Sequence, residues 1–366
     1  MAVMFFLSIQ DRGTWSRLAA GAEKGNVVPE DARSEVKDDL FPALCFFIGS
    51  RLSASGRVGD GRNWFSAGAV SEDTGLFSNG FLLGFLERQK GAFRKPAVAF
   101  EDPRPFIHFT GVPVMKNSRS GFITASMRTL PRFPGPVKVM DLGCGDGGLT
   151  ATFVQALLAC GNAPCVESVL LVDSSHAMLE LARKTLGSVL PGASVQTMNN
   201  RIQEASPVIP GHYDIAISSL AYHHMPFHDK LTHLKRLKHA FDHFILFEMD
   251  ANHDSPELGS PELAYSVYQA YGRIIDFVFS HDADPEIACA CVDNFLITEL
   301  ISILTEPRGS RTDYHMTRAQ WQLLFDQAFQ DEFDLQCDVS TYADEFMDLF
   351  TLHYARKPLA INPTAP

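Results

Sequence analysis

Three stretches of this 366-residue chain carry side chains whose types and spacing suit chemistry. The first is Asp141-Leu-Gly-Cys-Gly-Asp-Gly147, in which two carboxylates accompany Gly143, Gly145 and Gly147. Glycines permit a tight turn and let the backbone approach a ligand with no Cβ in the way. The glycine spacing alone also fits a dinucleotide fingerprint. Asp141 and Asp146 argue against that reading, because a pyrophosphate would meet two negative charges at short range. A ligand bearing an ammonium and a sulfonium would be attracted instead. The second stretch ends in Asp173, and one carboxylate can accept hydrogen bonds from both hydroxyls of a ribose. The third is Ser218-Ser-Leu-Ala-Tyr-His-His224. A histidine titrates near neutrality and can take a proton from an attacking O–H or N–H, which makes His223 and His224 candidate bases.

Positioning these groups requires a particular set of elements. Val137 to Leu142 is a short apolar run, as in a strand buried on both faces, and helical spacing resumes at Leu149. Ser168 to Asp173 reads as a second buried strand, Ser194 to Met198 as a weak third, Tyr213 to Leu220 as a fourth and His243 to Asp250 as a fifth. Each potential ligand-binding residue then falls at or just beyond a strand's carboxyl end, where open α/β sheets bind their ligands.

The pattern Asp-x-Gly-x-Gly-x-Gly from Asp141 to Gly147 resembles the first motif of class I S-adenosylmethionine-dependent methyltransferases, and the stretch after the fourth strand resembles their small-molecule branch. The resemblance implies a seven-stranded Rossmann-like α/β sheet, mostly parallel with one antiparallel strand. It implies S-adenosyl-L-methionine as cofactor, with S-adenosyl-L-homocysteine as product. Carried over residue by residue, the cofactor would meet Asp141, Gly143, Gly145, Asp146 and Gly147 at the turn. It would meet Asp173, Ser174 and Met178 after the second strand, and Asn200, Arg201 and Ile202 after the third. Asn200 stands where the family often has an acid for the adenine amino group, and its carbonyl can still bond the adenine edge. Ser218, Ser219 and Leu220 complete the cofactor set. Tyr222, Glu248 and Tyr314 are expected to line the substrate, with His223, His224 and His315 as candidates for the catalytic base.

Around this core, residues 1–130 are expected to form a mostly helical extension or lid, and 131–366 the methyltransferase domain. Helices are expected over 35–52 and 77–93, a Gly-rich loop over 53–62, and a short extended piece at Phe106–Thr110. A helical insertion is expected over about 252–311, with helices from Pro261 and Pro285, each opened by a proline at its first turn. Phe333–Val339 and Phe350–Ala355 read as a closing strand pair.

A net charge of −12 argues against a phosphate-backbone binder, so no nucleic-acid partner is expected. Seven scattered cysteines fit a reducing compartment rather than a disulfide framework. Cys289-Ala-Cys291 has the wrong spacing for zinc, and no metal is expected. No uninterrupted apolar run of bilayer length stands out, so no membrane partner is expected either. These observations predict a cytoplasmic monomer or homodimer that methylates an O, N or C nucleophile of a small molecule. Two other readings of the same fold remain: a cyclase or decarboxylase that uses the cofactor without methyl transfer, and a non-catalytic regulatory or assembly partner.

Overall fold

The computed structural model describes residues 6–73, 75–96, 103–205, 209–281 and 283–358. They form two compact units, each assembled from separated segments. The first takes residues 1–117, 249–317 and 342–348, and the second takes 118–248, 318–341 and 349–366. The division therefore differs from the contiguous one expected near residue 130, because the N-terminal helices share their unit with the insertion.

The second unit is built on a seven-stranded sheet. Its strands are β1 (Val137–Leu142), β2 (Val166–Asp173), β3 (Ser194–Asn199), β4 (Tyr213–Ser219), β5 (Phe241–Met249), β6 (Phe333–Ala343) and β7 (Asp348–Arg356). The order is β3-β2-β1-β4-β5-β7-β6. β1 to β5 run parallel, and the sheet is mixed, with one antiparallel pair. The chain order reverses between β1 and β4, which makes their carboxyl ends the switch point where such sheets take ligands. Both faces of the sheet are covered. Phe244 and Phe247 project from opposite faces of β5. Phe244 meets Phe325 at 5.6 Å between ring centroids, and Phe247 meets Phe122 at 5.8 Å. That double burial explains why β1, β4 and β5 read as unbroken apolar runs rather than alternating ones.

The first unit is helical. Helix Phe41–Ala54 is buried along most of its length and packs against helices Val58–Val70 and Pro261–Phe279. The expected Gly-rich loop over 53–62 gives way to helix from Val58 onward. Close packing of the two helices explains two glycines: a Cβ on Gly61 would lie 2.2 Å from Ser53 Oγ, and one on Gly49, in helix Phe41–Ala54, 2.7 Å from the Phe65 ring. Phe106–Thr110 is likewise helical, within Pro103–Gly111. Pro103 opens that helix as a pre-organised first residue.

The second expected insertion helix runs as Pro285–Cys291, a π-helical turn Val292–Leu296, and Ile297–Thr305. Contrary to the sequence expectation, Pro285–Thr305 is long and apolar enough to cross a membrane by length and composition, although 67% of its most apolar window is buried inside the protein.

Candidate cofactor site

The glycine turn begins where β1 ends. Gly143, Gly145 and Gly147 all have positive φ, at 84°, 52° and 74°. At two of them a side chain would also collide. A Cβ on Gly143 would lie 2.2 Å from Ala221 Cβ, and one on Gly147 2.7 Å from Ala182 Cα. The turn therefore fits close against both the loop after β4 and helix His176–Val189. Asp146 accepts from the Gly148 N–H at 3.0 Å, satisfying one of the open donors at the start of helix Gly148–Ala159.

Asp141 is buried beneath the turn, 3% exposed. Thr150 donates to its Oδ2 at 2.5 Å, while Oδ1 is buried without a hydrogen-bond partner. Burial pushes this carboxyl up to about 7; Asp173 adds to the rise, and Thr150 and Arg119 oppose it. Arg119 lies close enough to Asp141 and Asp146 for their charges to offset part of the lowering that its own burial imposes. Its Nε is another buried atom without a partner. A carboxylate with a guanidinium within its electrostatic reach suits the ammonium and carboxylate of an amino-acid moiety. Arg119 is absent from the sequence-based set, because nothing in Asn117-Ser-Arg-Ser120 marks it before helix Pro113–Thr129 brings it to the turn.

Asp173 ends β2. Its Oδ2 accepts from Gly145 N–H at 3.0 Å and its Oδ1 from Ser175 N–H at 2.8 Å. Burial raises its pKa, while those backbone donors and the nearby His224 hold it down. A carboxylate has about four acceptor positions, so these donors leave acceptor capacity for a ligand hydroxyl. The cap of the following helix is Ser175, which accepts from Met178 N–H, rather than the exposed Ser174. Met178 is 3% exposed and packs in the core. The Asn200 N–H donates to the Asp173 carbonyl at 3.2 Å, which holds the β3 turn against β2. Arg201 is exposed, while Ile202 is nearly buried near Gly143.

After β4 the expected residues separate by role. Ser218 is fully buried and donates to the Leu142 carbonyl at 2.8 Å, tying β4 to β1 rather than facing a ligand. Ser219 Oγ is buried without a partner. Leu220 has φ +50°, uncommon for a residue with a side chain, and its N–H donates to the Phe247 carbonyl at 2.8 Å. Tyr222 does not line a substrate. It is fully buried, its hydroxyl 2.9 Å from His233 Nδ1 and its ring packed against Phe244 and Trp321. Glu248 is fully buried too and engages His223: Oε2 is 2.9 Å from His223 Nδ1, and Oε1 accepts from the His223 N–H at 3.3 Å. His224 is exposed, its ring centroid 4.3 Å from that of His223.

The second unit thus brings together Asp141, the three glycines, Asp146, Asp173, Ser219, His223, His224 and Glu248. Tyr314 and His315 belong to the first unit. There the Tyr314 hydroxyl accepts from the Gly309 N–H at 2.8 Å, and the buried His315 ring lies 5.2 Å from that of His253.

Residues 139–242 match the model of a family described as a methyltransferase domain. That stretch, which holds the glycine turn, Asp173 and Tyr222 to His224, is similar to methyltransferase domains. Among solved structures, the chain is similar to SCL7 of Oryza sativa at 13% identity and a TM-score of 0.57, over 95% of this chain and 100% of that one. At that identity the likeness shows the fold. The plantazolicin methyltransferase BpumL in complex with SAH aligns at 14% identity and a TM-score of 0.42, over 70% of this chain and 92% of that one. The magnesium protoporphyrin IX methyltransferase from Synechocystis PCC 6803 with bound SAH aligns at 16% and 0.40, over 69% and 94%. Comparison with curated proteins finds no match.

Proposed function

We propose that this methyltransferase moves the cofactor's methyl group to an oxygen or nitrogen of a small molecule, with His223 as general base and Glu248 as the residue that positions it. The buried His223–Glu248 pair carries this reading. A carboxylate on Nδ1 fixes the ring's tautomer and orientation, so that proton uptake falls to Nε2 and the resulting imidazolium is stabilised. Displacement at a sulfonium methyl needs alignment above all, and the base removes the acceptor's proton as the new bond forms. Asp173 would hold the ribose, and Asp141 with Arg119 the amino-acid end of the cofactor. The acidic balance of the chain favours a small molecule over a nucleic acid as acceptor.

The test combines binding and transfer. Calorimetry should detect S-adenosylhomocysteine, and Asp173→Ala should cost about 2–4 kcal/mol of that affinity, as expected for charged hydrogen bonds that are not fully additive. Binding of NAD without S-adenosylhomocysteine would sink the reading. With methyl-labelled cofactor and a panel of phenols, carboxylic acids and amines, label should enter extractable product. His223→Ala should lower the rate by roughly 10²–10⁴-fold while leaving cofactor affinity unchanged. Glu248→Gln should lower it less and shift the pH profile. Cofactor binding with no labelled product from any acceptor would instead favour the non-methylating or regulatory readings of the fold.

A further inference from the structure

The strand order puts β6 at one end of the sheet, so one of its edges has no neighbouring strand among the described residues. The strand at the opposite end, β3, is 6 residues long, and its exposed side chains are all polar: Ser194, Gln196, Thr197 and Asn199. β6 runs for 11 residues and exposes Leu335 and Val339, at 43% and 37%. Cys337, partly exposed, lies between them on the same face of the strand. Edge strands are commonly guarded by lysine or proline, and a long one that exposes apolar side chains is a template for pairing. The stretch from Phe333 to Ala343 contains neither lysine nor proline.

Backbone direction decides which residues face the open edge. At one end of β6 the Glu332 carbonyl accepts from the Lys357 N–H at 2.8 Å, and at the other the Asp344 N–H donates to the Met347 carbonyl at 2.9 Å. Even-numbered residues therefore bond toward β7. By alternation Leu335, Cys337 and Val339 turn their N–H and C=O groups outward. A second copy of β6, antiparallel about a two-fold axis, offers the same groups in return. Charge then selects the register, because like charges directly opposed destabilise a strand pair. An axis at Gln336 would set Asp334 opposite Asp338, and an axis at Asp338 would set that residue opposite itself. An axis at Cys337 opposes no like charges. It sets Leu335 against the second copy's Val339, Gln336 against its Asp338 and Asp334 against its Ser340. Ser340 Oγ accepts from Arg318 Nη1 at 2.9 Å, and Asp338 is held by Arg318 and Gln322. Asp334 has Lys357 at 3.4 Å, yet its side chain stays 61% exposed. The guanidinium beside each Ser340 would thus meet the other copy's Asp334, once on each side of the axis.

We infer that β6 is an association surface for a second copy of this chain, the two sheets joining edge to edge through antiparallel β6 strands centred on Cys337. Backbone bonds from Leu335, Cys337 and Val339 hold the edges together. The Leu335–Val339 contacts cover the exposed apolar side chains, and the Asp334–Arg318 contacts fix the register. The inference is independent of the proposed methyl transfer.

Sedimentation velocity of the full chain, over a hundredfold range of concentration, should show monomer giving way to dimer. Val339→Lys and Asp334→Lys, both at exposed positions, should each raise the midpoint concentration at least about tenfold with the melting temperature unchanged. Crosslinking reads the register without altering the edge. The two Cys337 Cα atoms would stand about 5.5 Å apart, within disulfide reach. Copper phenanthroline should therefore join two chains by a disulfide, each Cys337 thiol giving up a proton and an electron to the oxidant. The measurement uses a chain carrying Cys160→Ser and Cys165→Ser, which removes the other exposed thiols. Adding Cys337→Ser should abolish the link. The inference is overturned if the parent chain stays monomeric, if both lysine variants dimerise as the parent does, or if no disulfide forms through Cys337.

Discussion

Buried beneath the glycine turn, Asp141 has its carboxyl pushed up to about 7 by desolvation. Near neutrality it is therefore a mixture of acid and carboxylate, whereas a cofactor ammonium would favour the carboxylate alone. Binding should then release a fraction of a proton at pH 7, visible as a dependence of the calorimetric heat on the buffer's ionisation enthalpy. Affinity should fall below pH 7, by up to about tenfold per unit. Asp141→Asn should bind more weakly and with a flatter profile. Constant affinity from pH 5.5 to 8 would show that Asp141 does not meet the positive charge. Asp141 and Asp173 were readable from sequence because charge and spacing near glycines are local properties. Arg119 was not, since its nearness to Asp141 exists only once helix Pro113–Thr129 has packed. Tyr222 shows the converse: its place beside two histidines suggested a ligand contact, yet its ring goes to the core.

At the scale of elements, Gly147 joins β1's turn to its helix and abuts helix His176–Val189. Both its φ of +74° and the 2.7 Å approach to Ala182 resist a side chain. Gly147→Ala should therefore destabilise the second unit by about 1–3 kcal/mol, measurable as a lower urea midpoint. An unchanged midpoint would mean that the two helices separate without cost. β1, β4 and β5 were legible because apolar runs buried on both faces are continuous and end in chemically distinct residues. The N-terminal helices were harder. Gly61 read as part of a loop because a glycine required for packing and one required for a turn look alike until the partner helix is known. The apolar helix Pro285–Thr305 escaped notice as a run of bilayer length because Asp293 and Glu299 interrupt it, and Asp293 is taken up by a two-point contact with Arg88.

At the scale of the whole molecule, buried histidines tie stability to pH. Burial lowers His353 to about 3 and His233 to about 4. His353 accordingly sits in a neutral chain, 2.7 Å from Thr129 Oγ1 and 3.0 Å from His243. An unfolded histidine takes up its proton near 6.5, so the stability these groups contribute is present above that pH and is lost as pH falls toward their folded values. By pH 4.5 the loss is roughly 2–3 kcal/mol for each. Asp141 acts in the opposite sense, since its raised pKa relieves a penalty as pH falls. The difference between the parent chain and His353→Gln isolates the histidine: the variant's unfolding free energy should decline less steeply from pH 6.5 to 4.5, and parallel curves would exclude the effect.

The segmented make-up of the first unit bears on synthesis. Helix Phe41–Ala54 leaves the ribosome early, but helix Pro261–Phe279, against which it packs, lies some 200 residues downstream. At about 5–20 residues per second, that apolar surface waits roughly 10–40 s for its partner. Chains arrested before residue 261 should be captured by chaperones or cut by protease within their first hundred residues, and chains released beyond residue 348 should resist both.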